Sequence, residues 1–333
     1  MQTKWGVKKD IQMMCANSVQ NLKDSNAWKQ LQQSGLFENF TVAKPSWSKI
    51  LEIIDWYLQE NDPVTLLSAL FQIAGVWLPL QQHYIASNTI HQQLVDLLSQ
   101  GKIIAAHCMT EKNGGTDIFS MHTRATLDNN SWLINGEKTY VCNAPVAEIG
   151  LLYAASGNIK LKPYNLSCFL VKLNDPGIIT TPLENLIGLK NLIIGTIKFQ
   201  KHKISSDMLI GKPGLGHTLA FKAITFERLI IPLAYIGLIN QFYQNAASHS
   251  KVEIYRLLCS AKSLLLENLS NINVQCWQHE YIKLGCLTKW HVSECYIAAA
   301  KLSENTQAYL DARSSWIYSG TNDSLKHVLM RLL

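Results

Sequence analysis

Residues 102–144, KIIAAHCMTEKNGGTDIFSMHTRATLDNNSWLINGEKTYVCNA, change character twice. An apolar run from Ile103 to Met109 gives way to the polar segment Thr110-Glu111-Lys112-Asn113-Gly114-Gly115-Thr116-Asp117. Two adjacent glycines there free the backbone for conformations that a Cβ forbids. The segment therefore reads as a binding loop and not as a core strand. Phe119 to Leu127 and Ser131 to Val141 then carry the β-branched and aromatic residues of strands. Asp128-Asn129-Asn130 between them supplies hairpin chemistry.

Met109-Thr110-Glu111, Gly114-Gly115-Thr116-Asp117, Ile134-Asn135-Gly136-Glu137-Lys138 and Tyr140-Val141-Cys142-Asn143 resemble, in order and spacing, the paired TEPGAGSD and NGxKxWITN segments of the acyl-CoA dehydrogenase family. The resemblance implies that both segments lie along the flavin of FAD, with an acyl thioester on the ring's other side. It implies a flavin-side set of Met109, Thr110, Gly115, Thr116, Tyr140 and Cys142. Cys142 stands where the family usually has Thr, and Tyr140 where it usually has a Trp packed on the ring. Open N–H groups and hydroxyls in such a loop can hold flavin carbonyls and a diphosphate without adding bulk.

A chain of 333 residues, 47% of them hydrophobic, can bury a large core and leaves room for two or three domains. The formal net charge is +6, but the 30 Lys and Arg are scattered and form no nucleic-acid arm. Such a surface suits an anionic partner, either coenzyme A with its phosphates or an acidic acyl carrier protein. The eight cysteines contain no C-x-x-C pair, which argues against zinc and against a secreted disulfide framework. Reduced thiols in a cytoplasm are expected. The N-terminus shows no long apolar run of a signal peptide, and no run of ~18–20 apolar residues suggests a membrane helix.

Apolar residues recur at helical spacing from Lys9 to Leu98, with Asn61-Asp62-Pro63 and Ser87-Asn88-Thr89 as helix starts. Short strands follow, at Leu151–Ala155, Ser167–Leu173, Ile178–Pro182 and Ile193–Phe199, with a stop signal at Asn174-Asp175-Pro176-Gly177. From His217 the helical pattern returns, first on a face through Leu219, Ala223, Leu229, Leu233 and Ile236, then in runs Glu253–Leu269, Gln278–Leu310 and Asp323–Leu333. The expected fold is α+β. The resemblance divides it into an N-terminal helical domain (1–103), a central β-barrel-like domain (104–212) and a C-terminal helical bundle (213–333). It also implies a homodimer.

Most family members take the α-proton of the thioester with the Glu of an IYEGT loop, and here that loop reads Ile317-Tyr318-Ser319-Gly320-Thr321. A serine hydroxyl is too weak a base for this work unless another base activates it. Isovaleryl-CoA and long-chain members instead use the Glu of an ERL sequence, and Phe226-Glu227-Arg228-Leu229 stands at that position. Taken alone, a Glu followed by Arg in an amphipathic helix reads as a solvated or ion-paired side chain. The resemblance makes Glu227 the catalytic base and Ser319, Gly320 and Arg228 substrate-binding residues, with Ser319 only filling the space of the absent carboxylate. His107, His202 and His291 read as structural.

Two segments that hold the ADP half of FAD in family dimers, R-x-x-F-G and Q-x-x-G-G-x-G, have no counterpart after Ala246 or after Leu302. FAD is therefore expected to be weak or lost. The first functional expectation is FAD-dependent α,β-desaturation of an acyl thioester, on CoA or on a carrier protein, in a biosynthetic branch of metabolism. The alternative is an FAD-free enzyme of the same fold that moves protons on a thioester by elimination, isomerisation or cyclisation.

Overall fold

The structure, a computed structural model, describes residues 22–83, 89–113, 115, 117–156 and 164–332. Helices α1 (Asn26–Gln33), α2 (Leu36–Asn39), α3 (Trp47–Glu60), α4 (Pro63–Gln72), α5 (Leu78–His83) and α6 (Thr89–Ser99) come first. Strands follow: β1 (Ala105–Cys108), β2 (Arg124–Asp128), β3 (Ser131–Cys142), β4 (Ile149–Ala155), β5 (Leu166–Lys172), β6 (Ile178–Pro182), β7 (Ile194–Ser205) and β8 (Leu209–Ile210). Helices α7 (Gly216–Ile230), α8 (Pro232–Asn245), α9 (Ser248–Ser270), α10 (Tyr281–Leu302), α11 (Thr306–Ser314) and α12 (Asn322–Leu332) complete the chain. Spatially these elements form two compact units built from interleaved segments. Residues up to Lys29, Gly75–Leu183 and Ile193–Phe221 form one, and Gln30–Ala74, Glu184–Leu192 and Lys222 onward the other.

The first unit holds one eight-stranded sheet in the order β6-β7-β3-β2-β4-β5-β8, with β1 alongside β4 in parallel. Strand β4 is buried at every position and β5 at all but its last, so these two read as continuous apolar runs. Strand β7 alternates over much of its length, as a strand with one wet face does. The hairpin is tighter than expected: Asp128 pairs with Ser131, and Asn129 takes a left-handed φ of 54° that Asn tolerates. Phe119 belongs to a 3-10 turn at Ile118–Ser120, whose Asp117 carboxylate accepts from the Phe119 amide, so β2 begins only at Arg124. Gly136 lets β2 and β3 cross closely, since a Cβ there would sit 2.5 Å from the Thr123 Cα.

In the second unit α3 packs on α8, and α8 on α9 and α10. Tyr235 and Phe242 of α8 both stack on Tyr296 of α10, at centroid distances of 5.0 and 6.0 Å. Asp62 caps α4 by accepting from the Val64 amide at 2.8 Å, with Pro63 in the first turn. The helix start expected at Ser87-Asn88 lies outside the described residues. Two long helical runs are broken where the sequence reading joined them. Pro232, which lacks an N–H, ends α7 and starts α8. Glu304, at a φ of 57°, and Asn305, whose side chain accepts from the Ala308 amide at 3.0 Å, separate α10 from α11.

The membrane reading also needs correction. Pro63–Gln81, which includes a π-helical turn at Ile73–Trp77, is long and apolar enough on average to cross a bilayer, although Thr65, Ser68 and Gln72 interrupt it. Of its most apolar window, 89% is buried within the protein, as in a core helix.

A buried ion pair fastens the loop after β1. Lys138, fully buried in β3, donates to Glu111 Oε1 at 2.8 Å and to the Met109 carbonyl at 3.0 Å. The same carboxylate accepts from the amides of His122 at 2.6 Å and Thr123 at 3.0 Å, so it closes the excursion between residues 111 and 123. Burial alone would raise the Glu111 pKa, but the ammonium and the amide donors outweigh it and hold the group at about 2. Lys138→Met leaves that carboxylate buried without its cation, and should lower stability by about 3–5 kcal/mol in urea unfolding. The stability that Glu111 contributes is present above its ordinary pKa of 4.5 and lost as pH falls toward about 2, and that acid limb should flatten in the variant.

Candidate active site

The two motif segments of the sheet unit meet where the Thr139 amide donates to the Thr110 carbonyl at 2.8 Å. Met109 is buried, Thr110 and Cys142 are half-buried, and Gly115 is exposed, where an added Cβ would make only an ordinary contact with the Thr110 methyl. Thr116 lies outside the described residues. Between Lys138 and Val141 the pairing of β3 with β7 shifts register, and Tyr140 sits in that shift at a φ of 54°. The residue is 59% exposed. A bulky residue held in the left-handed region with its ring in the open is the kind of outlier that marks a binding surface. An exposed aromatic face beside a hydroxyl and a small thiol fits the edge and face of a flavin. Glu111 is not available to it, being consumed by Lys138.

The helical unit gathers the residues expected to do chemistry. Glu227 of α7 is 8% exposed, and its Oε2 accepts from the Ser319 hydroxyl at 2.9 Å. Ser319 and Gly320 both take left-handed conformations, φ 55° and 96°, and turn the loop back over α7. A Cβ at residue 320 would approach Arg228 Nη2 to 3.1 Å in a conformation that side chains rarely adopt, so glycine suits the position. Arg228 donates through Nε to the Ser319 carbonyl at 2.9 Å and through Nη1 to Cys286 Sγ at 3.3 Å. Tyr318 packs its ring on Phe71 at 5.5 Å, and the Thr321 hydroxyl accepts from the Ser324 amide at the start of α12.

Glu227, Arg228, Ser319 and Gly320 are thus brought together. Ser319 does more than fill space, because its hydroxyl orients the carboxylate. Arg228 spends Nε and Nη1 on the loop carbonyl and on Cys286, and so supports the loop.

Sequence reasoning missed Lys289. It is 2% exposed on α10 and donates to the carbonyls of Trp316 at 3.1 Å and Gly320 at 2.8 Å and to Asn322 Oδ1 at 2.7 Å. Asn322 is itself held by Ser293. Burial, with the nearby Arg228 guanidinium second, pushes the Lys289 pKa down to about 7. The available signal was spacing: Cys286, Lys289, Val292 and Tyr296 recur on one face of α10, so the lysine is an isolated cation on a buried stripe.

The histidines take structural partners. His291 Nε2 lies 2.9 Å from Ser260 Oγ, and His202 Nδ1 lies 3.2 Å from the Pro176 carbonyl. No cluster of three or more metal-ligating side chains occurs among the described residues.

Residues 106–202 match the acyl-CoA dehydrogenase middle domain. Among curated proteins, the mitochondrial isobutyryl-CoA dehydrogenase of Dictyostelium discoideum is 30% identical over 48% of this chain and 38% of its own length. The human mitochondrial short-chain specific acyl-CoA dehydrogenase is 22% identical over 72% of this chain and 65% of its own. The chain therefore spans less than two thirds of either relative. Among solved structures, butyryl-CoA dehydrogenase from Megasphaera elsdenii superposes with a TM-score of 0.80 at 15% identity, covering 99% of this chain and 98% of that one. The prolyl acyl carrier protein oxidase AnaB does so with 0.78 at 20%, covering 98% and 97%. Helices followed by a mixed sheet and a helical bundle give the chain the fold of the acyl-CoA dehydrogenases, and residues 106–202, which hold the two motif segments that meet at Thr110 and Thr139, match that family's middle domain.

Proposed function

We propose that the protein catalyses FAD-dependent α,β-desaturation of an acyl thioester, with Glu227 as the base. The observation that carries this reading is the 2.9 Å hydrogen bond between Glu227 and Ser319. The two chain positions that can supply the family's carboxylate touch each other, so a carboxylate reaching from either one occupies nearly the same place. Moving the base from the loop to α7 therefore changes its anchor and leaves its location almost unaltered.

Glu227 takes the proton from the α-carbon as that C–H bond breaks, and Ser319 fixes which oxygen faces the proton. FAD, when bound, supplies the acceptor for the hydride that leaves the β-carbon. Arg228 and Lys289 keep the loop at the carboxylate. Met109, Thr110, Gly115, Thr116, Tyr140 and Cys142 are assigned to the flavin. The thioester is carried by CoA or by a carrier protein, both of which suit a chain of net charge +6. The division at about residues 103 and 212 and a homodimeric assembly belong to the same proposal. A second reading, proton transfer on a thioester without FAD, draws on the missing segments for the ADP half.

Glu227→Gln keeps size and hydrogen bonding but removes basicity, so turnover should fall by ~100-fold or more with thioester binding little changed. Ser319→Ala removes one hydrogen bond of about 1 kcal/mol and should cost less than about tenfold. A fully active Glu227→Gln beside a dead Ser319→Ala would move the base elsewhere. The visible spectrum of the purified protein separates the redox reading from the FAD-free one. In titration FAD should bind weakly, since each missing charge-assisted contact costs ~1.5–3 kcal/mol, about ten- to a hundredfold in affinity. Nanomolar affinity would mean that other residues hold the ADP half.

A further inference from the structure

We propose that Lys289 is a positioning residue for Glu227: the three N–H donors of its ammonium fasten the loop of residues 316–322, and loss of one proton loosens that loop and frees Ser319 from the carboxylate. This deepens the function proposed above and rests on it. The donor count carries the argument. An ammonium has three N–H groups, and the three acceptors around Lys289 Nζ are the carbonyls of Trp316 and Gly320 and Oδ1 of Asn322, all within 3.1 Å. A neutral amine offers two donors and turns a lone pair toward the third oxygen. Two of the acceptors bracket Ser319, so any slack falls on the residue whose hydroxyl meets Glu227 and whose carbonyl meets Arg228.

The charged groups around Lys289 leave its proton loosely held. Arg228 faces it from α7, and the Cys286 thiol lies one turn away on α10. On α12, Lys326 lies 5.9 Å from the centre of the Trp316 ring and 3.8 Å from the Asp323 carboxylate, which already pairs it. Burial and the Arg228 charge bring the proton's departure to about pH 7. In the unfolded chain the lysine keeps its proton to its ordinary 10.5, so between these values unfolding takes up a proton and global stability rises with pH. On this proposal Lys289 stays buried on α10 when the loop opens and takes up no proton, so the loop should loosen with rising pH while the whole fold does not, a combination that general destabilisation does not produce.

The test uses the full-length protein, Lys289→Met and Lys289→Arg. Hydrogen exchange by mass spectrometry is followed on the peptide covering residues 316–322 at about pH 6 and pH 8.5, corrected for intrinsic rates. Loop protection in the wild type should fall by about tenfold or more between the two. It should be low at both in Lys289→Met and independent of pH in Lys289→Arg, with urea midpoints confirming that each variant is folded. Turnover of an acyl-CoA series in the wild type should decline above about pH 7, and Lys289→Arg should lose that limb. Equal protection of the wild-type loop at both pH values, or wild-type protection in Lys289→Met, overturns the inference. So does a loss of turnover in Lys289→Arg that leaves the limb in place. If the exchange pattern appears and no thioester is turned over by the wild type, the loop fastening stands and the proposed function falls.

Discussion

The loop from Trp316 to Asn322 keeps its shape because two cations, Lys289 buried and Arg228 half-buried, take its carbonyl oxygens. A cation withdrawn from water is tolerated only when its hydrogen-bonding capacity is met. Backbone oxygens meet most of it here. The loop must therefore present Trp316, Ser319 and Gly320 carbonyls inward, which forces left-handed backbone at two consecutive residues and brings the Ser319 hydroxyl onto Glu227. The positions of the hydroxyl and the carboxylate both follow from how the cations are satisfied.

The sheet unit solves a similar problem with a different partner. Lys138 is placed in β3 where its ammonium cannot reach water, and Glu111 answers it from the loop that follows β1. The carboxylate in turn collects two amides from the far end of that loop. One pair thus sets both ends of the glycine-rich segment, and Thr110 and Tyr140 are left on its accessible side. In both units a residue type that usually faces solvent is buried, and the local backbone is bent to serve it.

Much of the fold could be read along the chain. The Asp62-Pro63 cap, the Asn-rich hairpin and the apolar runs of β4 and β5 are local patterns whose cause lies within a few residues. The joins between helices were harder. Periodicity carries across Ile231-Pro232 and across Ser303-Glu304-Asn305, because the apolar stripe continues while the backbone does not. The long apolar window at Pro63–Gln81 shows the converse, since composition alone does not distinguish a helix wrapped in protein from one wrapped in lipid.

The sequence by itself determined the α+β class and the order of helices, strands and helices, and through the resemblance of its motifs it singled out Ser319 and Glu227 as candidate site residues, because motif spacing is a property of the chain's order. Tertiary structure alone decided that these two positions touch, since they lie 92 residues apart and their meeting depends on how α7, α10 and the terminal loop pack. It also decided what Arg228, Lys289, Glu111 and Lys138 do. A charged side chain in a helix or strand looks solvated in one dimension, and only the surrounding side chains determine whether water reaches it. Where they exclude water, the charge takes whatever oxygen the fold places within about 3 Å.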